Sequence, residues 1–484
     1  MAQQVTNGTE KPSAGKAVLW QLVSRYASVA IQLVITMVLA RLISPEQYGV
    51  VAIVTVFTTL FSALADVGIG PAVIQYDLED EECGELFVFT VLFGVCLAAV
   101  FCLASGAIAA FYDQQLLVPL CCVASLSIIF NAADMVPNGL MLKRKEFRLI
   151  AIRTLVTTIV SGIVSIGLAI LGFGSFALVI NTVAQALFIV SWNLKGSGLR
   201  VTSLHFMAPL RKVLRYSIFQ AGFSAVNYFA RNLDNLLTGK FFGEAALGNY
   251  DKAYKLSVFP NQYLSGVVSS VMQPYLVKNK DDKAYIYDKY LDVAGTLALL
   301  GAWISALFIL CSSEIVEVLY GSQWGTAAPI LSILGISVMF QMVNSVAGAV
   351  FQTIDHTDYM FYTSIINTVI TVLGICLGIA SGDVNLLALG VAIAYVIQAG
   401  VNTFFLVRKG LGVSVARYAA HFLPEMLIVL VAIVCWTVLP LPVLWGSYIL
   451  SLLVKGLVTT ATVFVVYLLC GRMAQLKKIL RYFK

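Results

Sequence analysis

Along most of this chain, apolar residues run unbroken for twenty or more positions, and polar residues return only in short clusters between the runs. A bilayer's hydrocarbon core takes about 20 apolar residues as a helix. The pattern therefore predicts about fourteen membrane-spanning helices. They lie at roughly 17–42, 47–75, 86–111, 116–142, 149–171, 174–194, 211–241, 245–276, 288–311, 327–354, 358–380, 384–407, 418–440 and 444–470. Turns such as Gly172-Phe173-Gly174 and Ser381-Gly382-Asp383 join some of them into hairpins. The expected fold class is an all-α polytopic membrane protein.

Several of these runs carry polar residues at helical spacing. Gln220, Ser224, Asn227, Arg231, Asn235 and Thr238 fall on one stripe, because residues three and four apart share a helix face. A charged side chain at the centre of a membrane helix costs at least about 2.5–3.5 kcal/mol on insertion scales. Such a stripe faces protein or a wet cavity. The first span carries a similar one: Gln21, Arg25, Ser28, Gln32 and Thr36.

The two stripes coincide under one constant offset. Gln21 falls on Gln220, Arg25 on Ser224, Ser28 on Asn227, Gln32 on Arg231 and Thr36 on Asn235; further on, Arg41 meets Lys240 and Gly49 meets Gly248. A weaker match pairs Asn131, Asp134 and Asn138 with Gln341, Asn344 and Gly348. The expectation is two six-helix lobes, 17–195 and 211–409, joined by a cytoplasmic linker at 196–210. Accessory helices follow over 410–471, with polar tails at 1–16 and 472–484. An even number of spans per lobe makes the repeat parallel, related by an axis along the membrane normal, and transporters of this kind place substrate between the halves.

Composition sharpens the picture. The chain of 484 residues is 60% hydrophobic and 12% charged, with mean hydropathy +0.89; a soluble domain is about 25% charged. Most of the 31 basic residues cluster at 143–153 (Arg153 included), 195–215, 278–289, 408–417 and the C-terminus. Every cluster falls on one side of the expected topology, which makes both termini cytoplasmic. The net charge of +6 is thus a topology signal and calls for no nucleic-acid partner. The polar first residues lack the pattern of a cleaved signal peptide. Nine cysteines, single apart from Cys121-Cys122, read as small lipid-compatible hydrophobes, and three distant histidines offer no metal spacing. No nucleotide, nucleophile or cofactor motif stands out, so the chain reads as a transporter and not an enzyme.

The stretch R-x-L-D-N-L-L-T-G-K-F-F-G, followed by L-G-x-Y-x-x-A-Y-K-L and Phe259-Pro260, resembles the Wzx-type polysaccharide flippases. So do A-R-L-I-S-P-E-Q-Y-G at 40–49, D-V-G-I-G-P-A-V-I-Q at 66–75 and P-N-G-L-M-L-K-R-K-E-F at 137–147. These belong to the polysaccharide transporter branch of the multidrug/oligosaccharidyl-lipid/polysaccharide superfamily. The resemblance implies two six-helix lobes plus two C-terminal helices and a bacterial inner-membrane location. It implies flipping of undecaprenyl-pyrophosphate-linked oligosaccharide units to the periplasmic face, with polysaccharide polymerase and chain-length machinery as candidate partners.

For such a cargo, Arg25 and Arg231 are candidate pyrophosphate contacts, since guanidinium makes fork-like, charge-assisted hydrogen bonds to phosphate oxygens. Gln21, Gln32, Asn227, Asn235 and Lys240 share the polar faces and complete the candidate cavity. Local neutralisation is the alternative: Asp66 lies at a depth similar to Arg25, and Asp234 follows Arg231. The intramembrane carboxylates Asp66, Asp134 and Asp234 read as proton relays or as salt-bridge and capping groups. Asn131, Pro137 and Asn138 around Asp134 suggest a bend whose freed backbone groups these side chains satisfy. Lys240 and Arg41 are placed to snorkel to the interface. Lys455, in the last span, reads as a partner of the accessory helices or as a lipid-phosphate contact. Tyr216, Tyr228, Tyr250 and Tyr254 read as interfacial anchors, with sugar stacking as the alternative. A cation-coupled drug exporter and a membrane polymerase or ligase are the competing functions. Arginines in a cavity disfavour the first, and short outer loops the second.

Overall fold

The computed structural model describes residues 14–65, 69–76, 78–201, 203, 206–207, 210, 228, 232–438, 443 and 446–471, all helix and connecting turns among them. Arg231, Asn227, Gln220, Ser224, Tyr216 and Asp66 lie outside these residues, and α1 is described without the side chain of Gln21. The chain divides into two compact units, Met1–Asn232 and Leu233–Lys484.

The first unit contains α1 (Ala14–Leu42), α2 (Pro45–Ala65), α3 (Ile69–Gln75), α4 (Asp80–Tyr112), α5 (Leu117–Lys143), α6 (Phe147–Ile170) and α7 (Ser175–Ser197). The second contains α8 (Leu233–Pro260), α9 (Gly266–Leu276), α10 (Lys283–Leu310), α11 (Ser312–Tyr320), α12 (Ala327–Asn344), α13 (Ala347–Thr353), α14 (Thr357–Ala380), α15 (Val384–Thr403), α16 (Val415–His421), α17 (Leu423–Val438) and α18 (Tyr448–Leu469). Among the described residues eleven helical segments are long and apolar enough to cross a bilayer; α16 and α17, bent by 62° at their junction, make twelve if counted as one span. Much of the span expected at 211–241 falls outside the description. The one expected at 245–276 starts inside α8 and carries Asp251, Lys252 and Lys255.

Local chemistry sets the ends. Glu79 and Glu82 form a reciprocal capping box at the start of α4, where Asp80, Glu81 and Glu82 also meet the positive end of the helix dipole. Asp282 and Asp383 cap α10 and α15 through the amides of Tyr285 (2.9 Å) and Asn385 (2.8 Å). Inside the bilayer, helices associate through close packing of small residues. A Cβ on Gly378 would lie 2.3 Å from the Leu387 Cα, and one on Gly374 would lie 2.7 Å from the Gly390 carbonyl oxygen, so the glycines set the α14–α15 separation.

Two turns correspond between the units. The turn between α5 and α6 places Lys145 at φ 60° and bonds the Glu146 amide to the Met141 oxygen at 3.1 Å. The turn between α13 and α14 places Asp355 at φ 60° and bonds the His356 amide to the Phe351 oxygen at 3.0 Å. Gly172 (φ 85°) and Gly382 (φ 72°) close the next turns. Lys145 with Asp355, and Gly172 with Gly382, keep the offset that pairs Asp134 with Asn344. The same supersecondary element thus occurs once in each unit.

Two expectations are corrected here. Arg153, grouped by sequence with the cytoplasmic loop residues, lies within α6 and is only 8% exposed. Within α5, which contains Pro137, the side chains of Asp134 and Asn138 bond to side chains of neighbouring helices, not to freed backbone groups.

Candidate functional site

In the first unit, α1 packs on α6 through one face. Ser24 is buried and donates to the Ala151 oxygen at 3.1 Å, and Ile35 fills the space above Gly162, where a Cβ would come within 2.2 Å of it. Arg25 and Gln32 are exposed on the same helix, Ser28 and Thr36 are half-buried, and Arg41 is exposed at its end. Arg25 therefore lies off the interface with α6.

Asp134 belongs to a different group. The Asn193 amide of α7 donates to its carboxylate at 2.7 Å, and Arg153 of α6 donates both to the Asn193 oxygen (2.8 Å) and to the Asn138 oxygen (3.1 Å). Three helices are joined by one polar relay that holds a carboxylate and a guanidinium. The second unit repeats the relay without charge. Asn402 of α15 donates to Asn344 of α12 at 2.8 Å, and Asn367 of α14 donates to Asn402 at 3.3 Å. Gln398 adds a 2.6 Å bond to Thr371. The sequence match of Asp134 with Asn344 identified one corner of each relay. Asn193, Arg153, Asn367 and Asn402 were missed because their role depends on which helices become neighbours.

The motif-rich stretch after Arg231 folds as α8. Gly243, at φ 83° and ψ 175°, breaks it into two halves, a conformation that favours glycine. In the first half, Asp234 is 5% exposed and accepts from the Tyr250 hydroxyl at 3.0 Å, across the break. Asn235 is buried with its side-chain oxygen unpartnered among the described residues, and Lys240 is half-buried. Tyr250 stacks on Tyr254, whose hydroxyl meets that of Tyr395 on α15 at 2.9 Å. The two tyrosines thus build helix packing. In the second half, Lys255 pairs with Asp251 at 2.6 Å. Lys252 is buried with its ammonium 5.5 Å from the Tyr320 ring centre and 5.8 Å from that of Trp324. That distance range suits a cation–π contact.

Lys455 of α18 forms a buried ion pair with Glu314 of α11, and Ser451 donates to the same carboxylate oxygen at 2.8 Å. Its partner thus lies outside the last two helices, where the sequence had placed it. Lys455 also borders an apolar cavity of about 340 Å³ between α10, α17 and α18. Among the described residues no cluster of His, Cys, Asp and Glu has the make-up of a metal site.

Known proteins give this arrangement its context. The chain is similar to the lipopolysaccharide biosynthesis protein WzxC of Escherichia coli, 24% identical over 458 residues, covering 90% of this chain and 87% of that one. It is also similar to the teichuronic acid biosynthesis protein TuaB of Bacillus subtilis, at 26% identity over 72% of this chain and 74% of that one. Among solved structures, the lipid II flippase MurJ in an inward closed conformation superposes with a TM-score of 0.70 at 14% identity, over 93% of this chain and 98% of MurJ. An inward-facing multidrug resistance transporter of the MATE family gives 0.58 at 18% identity, over 81% and 95%. These solved structures share the fold of this chain, whose described helices are those of a multi-pass membrane protein. The family model described as polysaccharide biosynthesis protein matches residues 38–329, and the chain belongs to that family.

Proposed function

We propose that this protein flips undecaprenyl-pyrophosphate-linked oligosaccharides from the cytoplasmic to the periplasmic face of a bacterial inner membrane, by alternating access and without catalysing a covalent step. The observation that carries the reading is the α1 surface. Arg25 and Gln32 are exposed on a membrane helix whose other face packs on α6. Exposing guanidinium to lipid is costly, so we assign this surface to a wet, anion-accepting path. From their places on the sequence stripes alone, Gln21, Asn227, Arg231, Asn235 and Lys240 are assigned the same anion- and sugar-contacting role. WzxC and TuaB are named for lipopolysaccharide and teichuronic acid biosynthesis, and Agl15 of Haloferax volcanii as a probable low-salt glycan biosynthesis flippase, which supports a glycan cargo. A fixed cation suits pyrophosphate and opposes cationic drugs.

Lobes at 17–195 and 211–409 carry the transport cycle, with 410–471 accessory and both termini cytoplasmic. Asp134 and Asp234 serve as charge and hydrogen-bond partners that hold helices together; Asp66 is assigned the same role by analogy. Polymerase and chain-length machinery take the product on the periplasmic side.

Deleting the gene and measuring lipid-linked intermediates by mass spectrometry tests the reading. Accumulation of the intermediate with loss of surface polymer is expected. An unchanged pool with normal polymer overturns it.

A further inference from the structure

Within the first unit, Cys102 of α4 and Cys122 of α5 bring their sulfurs to 2.6 Å. That is about half an ångström beyond a disulfide bond of ~2.05 Å. Both residues are half-buried and carry free thiols. Ser105 donates to the Cys102 carbonyl at 2.6 Å, and Ser125 donates to the Cys122 carbonyl at 2.7 Å. The hairpin that carries them packs closely, since a Cβ on Gly94 would come within 2.6 Å of the Ala132 Cβ. Cys121, the residue before Cys122, is fully buried, and Cys96 is exposed. They serve as internal comparisons on the same two helices.

We infer that Cys102 and Cys122 form a dithiol pair that a small hydroperoxide closes to an interhelical disulfide. One thiolate attacks the O–O bond of the hydroperoxide, forming S–O and releasing the alcohol (water when the oxidant is hydrogen peroxide); the partner thiol then attacks the sulfenic sulfur, forming S–S and expelling water. Two electrons pass from the sulfurs to the peroxide. A hydroperoxide is small enough to reach a half-buried site between helices, where a protein oxidoreductase is too large to enter. The pair lies about 8–15 Å along its helices from the Asp113–Leu116 turn, at 1.5 Å per residue. Under the topology proposed above, that turn faces the periplasm, where disulfides persist. Closing the bond would tie α4 to α5, so that the hairpin moves as one body.

The test uses the full-length protein purified in detergent. After treatment with hydrogen peroxide, denaturation and alkylation, peptide mass spectrometry is expected to show Cys102 linked to Cys122 with loss of two hydrogens, reversed by a dithiol reductant. In Cys122→Ser the linked peptide disappears and Cys102 becomes trappable as a sulfenic acid by a dimedone probe. The inference is overturned if Cys102 and Cys122 both remain alkylatable at a dose that oxidises Cys96, or if the linkage involves Cys121 or Cys96. A second arm alkylates acid-quenched cells, where the closed pair is expected without added peroxide. A pair that closes in the purified protein but stays reduced in cells supports the dithiol, and counts against the periplasmic placement of the turn instead.

Discussion

Removing the Lys455 ammonium by Lys455→Met leaves the Glu314 carboxylate buried, at 1% side-chain exposure, with the Ser451 hydroxyl as its remaining hydrogen-bond donor among the interactions described above. Breaking a buried ion pair from one side costs about 3–5 kcal/mol, because an uncompensated charge stays in low dielectric. For a unit of this size, each kcal/mol moves a melting midpoint by roughly 2–4 °C, so a fall of roughly 6–20 °C is expected. Replacing both partners by Glu314→Gln and Lys455→Met removes the stranded charge. Such apolar or neutral replacements are often near neutral, so the double variant is expected to recover at least half of the loss. The assay is thermal unfolding of purified protein in one detergent, with intrinsic fluorescence or aggregation as the signal, across the full double-mutant cycle. The reasoning is refuted if Lys455→Met shifts the midpoint by less than about 2 °C, or if the double variant melts below both single variants.

Other outcomes follow from the same structure. Arg153→Gln should lose about 2–3 kcal/mol by weakening bonds to Asn138 and Asn193 beside a buried carboxylate; Asp134→Asn in the same chain should restore part of it, as read by detergent thermostability. Gly378→Leu should destabilise by at least about 1–3 kcal/mol through overpacking against the Leu387 backbone. Gly106→Leu, where a Cβ meets nothing within 4 Å, should behave like wild type in the same measurement. Arg25→Ala should fold normally yet lower polymer export by roughly 10–100-fold, the equivalent of one charged hydrogen-bonded contact; export at the wild-type rate and matched expression would remove Arg25 from the path.

The sequence by itself determined the class of this protein, because burying a helix in lipid imposes about 20 apolar residues per span and a visible basic bias in the loops. It also pointed to one pair of corresponding elements. Asp134 aligned with Asn344 before their helices had neighbours, and the turns at Lys145 and Asp355 carry the same correspondence. A stripe of residues on one helix is local information, so the polar face of α1 could be read in advance. Partnership is not local. Whether Asp134 answers to Asn193 and Arg153, Asp234 to Tyr250, or Lys455 to Glu314 depends on which helices pack together across long stretches of chain. Arg153 looked like a loop cation, since a charge near a helix end has the same sequence signature whether it snorkels outward or bonds inward. Only the tertiary structure decided that, because the free energy of a buried charge is set by the groups brought around it and not by its neighbours in sequence.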